Sequence, residues 1–231
     1  MALTDLFEVF RQQSHPENAK TMSRYMREQF IFIGIQTPLR RELSKPYFQL
    51  ERQKMKQQAA DSSIDWDFIW ACWQAPEREF QALAADYLNL LQNYLQAEDL
   101  KRLKELITWK SWWDSVDSLV KIVGKLAHQS EEMKAQLLAW SQADNIWLRR
   151  TSIIHQLGMK EETDTELLAT CIQNNFNTQE FFINKAIGWA LRDYAKVNEA
   201  WVRAFLMAHH SQLAPLSWRE ASKHLAMNEP I

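Results

Sequence analysis

The chain has 231 residues, with 27 Lys+Arg against 29 Asp+Glu and a formal net charge of −2. Four glycines, six prolines and six valines are too few turn-forming and β-branched residues for a sandwich or barrel. No buried Val/Ile strand leads into a Gly-rich turn, as a doubly wound α/β fold would require. The charge balance excludes a wholly basic nucleic-acid coat protein, but it allows a basic groove on an otherwise acidic body.

The expected fold is therefore all-helical. In chain order, capping residues and apolar periodicity predict helices over residues 3–12, 17–29 and 37–57. Gly34 reads as a turn, Thr37 as the N-cap of the third helix and Pro38 as its first residue; Pro46 is expected to kink or break that helix. From residue 60 onward helix starts fall in a rhythm. One set begins near Ile64, Glu98, Glu131, Asp164 and Asn198, and a second near Glu77, Ser111, Asp144 and Thr178, each start 33 or 34 residues after the last. Two interleaved series with one period predict helical hairpins of the HEAT or TPR kind. The expected organisation is one domain over 1–231, with less regular helices over 1–60 and hairpins over 61–231. The two cysteines, Cys72 and Cys171, lie in apolar helical stretches without ligand or disulfide spacing, which points to a reducing cytoplasm. Asp5 and Glu8 interrupt the apolar pattern of Met1–Phe10, unlike a signal peptide. No segment approaches the ~20 apolar residues of a membrane span.

The second helix of each hairpin is expected to line the concave, binding side. Counted from the presumed caps, Asp117 lies six residues after Ser111 and Arg150 six after Asp144. Asn184 lies six after Thr178, with Lys185 next to it, and Leu83 six after Glu77. Helices in contact lie about 8–10 Å apart, so an acid, an arginine and an amide or lysine can stand in a row across neighbouring helices.

Three segments carry chemistry. In Ser111–Ser118, Ser111 and Asp114 resemble a capping box, which leaves Asp117 unexplained. Trp113, four residues before it, shares its helix face. A core tryptophan beside a solvated aspartate is the plain structural reading; an aromatic wall beside a carboxylate, suited to a cationic sugar or base, is the functional one. In Asn145–Thr151, Arg149 and Arg150 point about 100° apart around their helix. In Phe181–Tyr194, Lys185, Trp189 and Arg192 form one stripe. Gly188 within that helix costs about 1 kcal/mol relative to Ala and implies close approach of a neighbouring helix or a ligand backbone. The six histidines show no metal spacing, and no phosphate loop or nucleophile elbow occurs, so the expectation is a cofactor-free site with no metal.

Together, WWDSVD (112–117), WLRR (147–150) and FFINKAIGWALRDYAK (181–196), with YMREQFIFIGIQTPLRR (25–41), resemble the AlkD-type DNA alkylation-repair glycosylases. The resemblance covers essentially the whole chain. It implies a right-handed α–α superhelix of HEAT-like repeats with a concave DNA-binding face, and excision of positively charged N3- or N7-alkylated purines from duplex DNA. It further implies Asp117 as catalytic carboxylate, Trp113 and Trp189 as aromatic neighbours, Arg150 on the DNA backbone near the lesion, and Tyr25 at the same cleft. Arg149, Lys185, Arg192, Arg219, Lys223, Arg40 and Arg41 are the candidate phosphate contacts. The implied partner is duplex DNA with alkylated bases, bound by a monomer without a membrane. Without the resemblance, a non-catalytic helical-repeat scaffold binding DNA or protein is the competing reading.

Overall fold

The computed structural model describes residues 2–57 and 63–226. Among them are thirteen α-helices and no strand, the one β-bridge joining Ile31 and Glu77. The chain divides into two compact units, residues 1–96 and 97–231.

The first unit contains α1 (Asp5–Gln12), α2 (Pro16–Tyr25), α3 (Thr37–Gln57), α4 (Trp66–Gln74) and α5 (Arg78–Leu91). Leu6, Phe10, Phe68, Ile69, Trp73, Phe80, Leu83 and Tyr87 are buried in its core, and Phe7 stacks on Phe80 with centroids 4.4 Å apart. The extended stretch between α2 and α3 is held by a buried carboxylate: Glu79 accepts from the backbone N–H of Ile33, Gly34 and Ile35 at 3.1, 2.8 and 3.1 Å. Gly34 has φ +102°, and a Cβ there would collide with the His15 carbonyl; the expected turn is present and demands glycine. Helix α3 does not break at Pro46 but runs through it to Gln57. The first backbone bond of α3 is from Arg40 to the carbonyl of Gln36, so Gln36 rather than Thr37 holds the N-cap place.

The second unit contains α6 (Asp99–Thr108), α7 (Trp113–Ala127), α8 (Glu131–Trp140), α9 (Ile146–Ile154), α10 (Thr165–Gln173), α11 (Phe181–Tyr194), α12 (Glu199–Ala208) and α13 (Pro215–Ser222). With α4 and α5, these helices follow the expected rhythm. Asp65, Ser130, Asp164 and Asn198 each cap a first helix by accepting a backbone N–H three residues on, and Asn145 caps α9. The cap assigned to Ser111 is a correction. Trp112 holds the N-cap place of α7, Ser115 Oγ accepts from its N–H at 3.4 Å, and Ser111 Oγ instead donates to the Ile107 carbonyl at 2.6 Å. Similarly Glu180, not Thr178, precedes α11; the Thr178 hydroxyl accepts from the Glu180 N–H.

Within this unit the second helices pack in order, α7 on α9, α9 on α11 and α11 on α13. Val120, Ile153, Ile154, Leu168, Ile183, Ile187, Leu191, Leu206 and Trp218 form their shared core, each fully buried aliphatic side chain contributing about 1.5–3 kcal/mol. Two glycines set helix spacing. A Cβ on Gly188 would collide with the side chain of Glu220 and lie 3.0 Å from the Ser217 carbonyl oxygen. The close approach read from the sequence is therefore that of α13. A Cβ on Gly124 would strike the His155 carbonyl. No described helix is long and apolar enough to cross a membrane.

His155 is fully buried, its Nδ1 2.7 Å from the Ser152 carbonyl, and burial lowers its pKa to about 4. Its folded value lies below its unfolded value, so its contribution to stability is complete above about pH 6.5 and is lost as pH falls toward 4. Urea unfolding should show the wild type losing about 3 kcal/mol across that window from this group, and His155→Gln should remove that part of the pH dependence.

Candidate functional site

Three second helices converge on one ion pair. Asp117 is in the second turn of α7 and Arg150 at the middle of α9, 33 residues on. Arg150 Nε donates to Asp117 Oδ1 at 2.8 Å and Nη2 to Oδ2 at 2.7 Å, a bidentate fork; Nη1 donates to the Phe182 carbonyl of α11 at 2.7 Å. Phe182 is in the first turn of its helix, where the carbonyl also accepts within the helix, so the guanidinium takes the second lone pair of that oxygen. The arginine side chain is 6% exposed and that of the aspartate 18%. One edge of an otherwise dry carboxylate is thus open to solvent. Burial pushes the Asp117 carboxyl above its usual value; the Arg150 hydrogen bonds and charge oppose that push, and Asp114 adds to it.

An aromatic triangle buttresses the pair. Trp112 sits 5.8 Å from Trp147 and 5.1 Å from Phe182 between ring centroids, and Trp147 and Phe182 are 5.1 Å apart. The Arg150 guanidinium lies 6.0 Å from the Phe182 ring centroid, at the limit of cation–π range. These three residues recur 35 residues apart in the chain, one per hairpin. No role follows from their local segments alone; their common repeat position was the available signal. The Trp112 indole Nε1 is buried with no hydrogen-bond partner among the described residues.

The remaining candidates in this unit fall around these helices. Trp113, in the first turn of α7 and one turn before Asp117, is half-buried, and so is Trp189 of α11, which packs on the shared core. Asn184 is buried in the row as its position implied: its Nδ2 donates to the Thr178 carbonyl, and Ser217 Oγ donates to the Asn184 carbonyl at 3.0 Å. Arg149 points away from Arg150, donating to Asn175 Oδ1 at 2.7 Å and Thr178 Oγ1 at 3.2 Å. Lys185 and Arg192 are both tied to Glu220 of α13, at 2.8 and 2.6 Å. Chiefly the Lys185 hydrogen bond, with help from Arg192 and against some burial, holds the Glu220 carboxyl below its ordinary value. Arg219 and Lys223 are exposed. In the first unit, Arg40 Nε donates to Asp86 at 2.9 Å, whereas Arg41 and Tyr25 are exposed.

The candidates thus divide. Asp117, Arg150 and Asn184 occupy one row with defined bonds, while the Lys185–Trp189–Arg192 stripe carries an acid, Glu220, that comes from another helix. Every hydrogen bond described for the Arg150 guanidinium goes to protein, and the phosphate role implied by the resemblance requires some of them to be exchanged.

A helical-repeat protein with a carboxylate fixed in orientation but open at one edge is the class that the second unit defines. The chain belongs to the family of DNA alkylation repair enzymes, whose family model matches residues 6–225. It is similar to a solved structure described as a predicted DNA alkylation repair enzyme from Enterococcus faecalis, at 36% identity and a TM-score of 0.80, over 93% of this chain and 98% of that one. No curated protein matches the chain.

Removing one member of a buried pair leaves the other charged and uncompensated. Arg150→Ala should lower unfolding free energy by about 2–3 kcal/mol at pH 7, the open edge of Asp117 softening the loss. Protonation of Asp117 relieves that burial, so the deficit should shrink as pH falls through the raised carboxyl pKa; urea titrations at pH 7 and pH 4 measure it.

Proposed function

We propose that the protein is a DNA glycosylase that releases positively charged N3- or N7-alkylated purines from duplex DNA. The observation that carries the reading is the Asp117 carboxylate, held by both oxygens yet 18% exposed. A purine alkylated at N3 or N7 already bears positive charge, so it leaves neutral without a general acid. The C1′–N bond breaks with its electron pair going to the base, and the sugar becomes oxocarbenium-like, as in glycoside hydrolysis. A fixed carboxylate in a dry setting stabilises that cation and orients the water that adds to C1′; the water's proton passes to solvent. This chemistry needs neither a metal nor a cofactor.

Arg150 acts through Asp117 as a positioning residue, since its fork sets the plane of the carboxylate. Trp113 and Trp189 are the aromatic neighbours, each able to add about 0.5–2 kcal/mol of cation–π attraction to a cationic sugar or base. Tyr25, Arg40 and Arg41 of the first unit and Arg149, Lys185, Arg192, Arg219 and Lys223 of the second are the proposed DNA contacts, the charged ones to phosphates. The protein acts as a cytoplasmic monomer on one duplex site. Membership of a DNA alkylation repair family supports the substrate class.

The test is chromatographic detection of free N7-methylguanine released from alkylated duplex DNA. Wild type should release base and Asp117→Asn should retain DNA binding but lose at least about a hundredfold in rate, the scale of a removed electrostatic stabiliser. The wild-type rate should fall on the acid side as Asp117 protonates, with a midpoint above the carboxyl's ordinary 3.8. Equal release by both proteins overturns the assignment of Asp117. Duplex binding without release of any cationic adduct by either protein replaces the enzyme with a binding scaffold.

A further inference from the structure

The stripe on α11 is a two-cation site with its anion already in place. Lys185 and Arg192 lie seven residues apart on one face of the helix, bracketing Trp189. Glu220 gives one oxygen to each: Oε1 accepts from Lys185 Nζ at 2.8 Å and Oε2 from Arg192 Nη1 at 2.6 Å. Its backbone is fixed there because α13 approaches α11 at Gly188, where any side chain would collide with Glu220. The three side chains are 39%, 24% and 20% exposed, so the cluster is open to a competing anion. A phosphodiester offers two non-bridging oxygens in the forked arrangement that the carboxylate uses here.

We propose that Lys185 and Arg192 form an oxyanion site that Glu220 occupies in the free protein and that a DNA phosphodiester takes over, so that Glu220 sets the strength of DNA binding. This inference rests on the DNA reading above. With the carboxylate in place the cluster carries one net positive charge, and with it neutralised, two. Glu220 works as an internal competitor: phosphate must displace it before gaining both cations. It tempers a patch that would otherwise hold any duplex, which for a protein seeking rare lesions favours release from undamaged DNA.

Fluorescence anisotropy with a labelled undamaged duplex tests this. Glu220→Gln keeps the side-chain shape and removes its charge. It should bind about three- to tenfold more tightly than wild type at 50 mM salt, with log K falling more steeply against log salt by about 0.9, the value for one more phosphate neutralised. The advantage should therefore shrink about threefold between 50 and 200 mM salt. In a Lys185→Ala/Arg192→Ala background the same substitution should bring no gain. Unchanged or weaker binding by Glu220→Gln would mean that Glu220 only orients the two cations, and the inference falls while the DNA reading stands. A gain that persists without the two cations makes the effect a long-range field and likewise overturns it. Absence of duplex binding by both wild type and Glu220→Gln overturns the DNA reading and this site's occupant with it.

Discussion

Residues one repeat apart in the chain stand next to one another in the second unit, and this register of helix on helix is what its site depends on. It brings Asp117 to Arg150 and Asn184 to Ser217, each pair 33 residues apart, and it stacks Trp112, Trp147 and Phe182 in one triangle. Arg150 ties three helices together through a carboxylate on one side and a backbone carbonyl on the other. A buried guanidinium is tolerable only when its donors are satisfied, so α7, α9 and α11 are held to a common alignment.

Such a pair is costly to desolvate, and hydrophobic residues of similar volume would often stabilise a fold as well or better. Here it stands beside an apolar core that includes Ile153, Ile187 and Leu191, together with buried polar residues such as Asn184 and Ser217. Burial and the guanidinium act on Asp117 in opposite directions. Together they leave a carboxylate whose orientation is set by a neighbour and whose open edge faces water, the condition for stabilising a cation that forms during a reaction.

The helical rhythm was legible in the sequence because each hairpin must bury an apolar stripe and begin at a capping side chain. Asp65, Ser130, Asn145, Asp164 and Asn198 cap where that logic puts them, within a residue or so of the expected starts. Gly188 was legible for a similar reason, since an unfavourable residue in a helix needs a steric cause. Pro46 does not break its helix because it removes one N–H, a loss that a helix of 21 residues accommodates. The Ser111 cap misled because the Ser111 hydroxyl turns back to the Ile107 carbonyl while Ser115, from inside the helix, accepts the Trp112 N–H, and local spacing does not decide between these arrangements.

The sequence by itself determined the helical class, the repeat spacing, the presence of Asp117, Arg150 and Asn184 at matching positions along successive helices, and the cationic stripe beside the last of them. These follow from local propensity and periodicity, which act over a few turns of chain. Only the tertiary structure decided whom those charges meet: that Arg150 binds Asp117 and the Phe182 carbonyl, that Arg149 turns to Asn175 and Thr178, and that Glu220 from α13 sits between Lys185 and Arg192. The physical reason is that a side chain's partner is set by how neighbouring helices pack and rotate against one another. That geometry is fixed by the summed fit of many buried apolar side chains such as Ile153, Ile187 and Trp218, and no short stretch of sequence contains it.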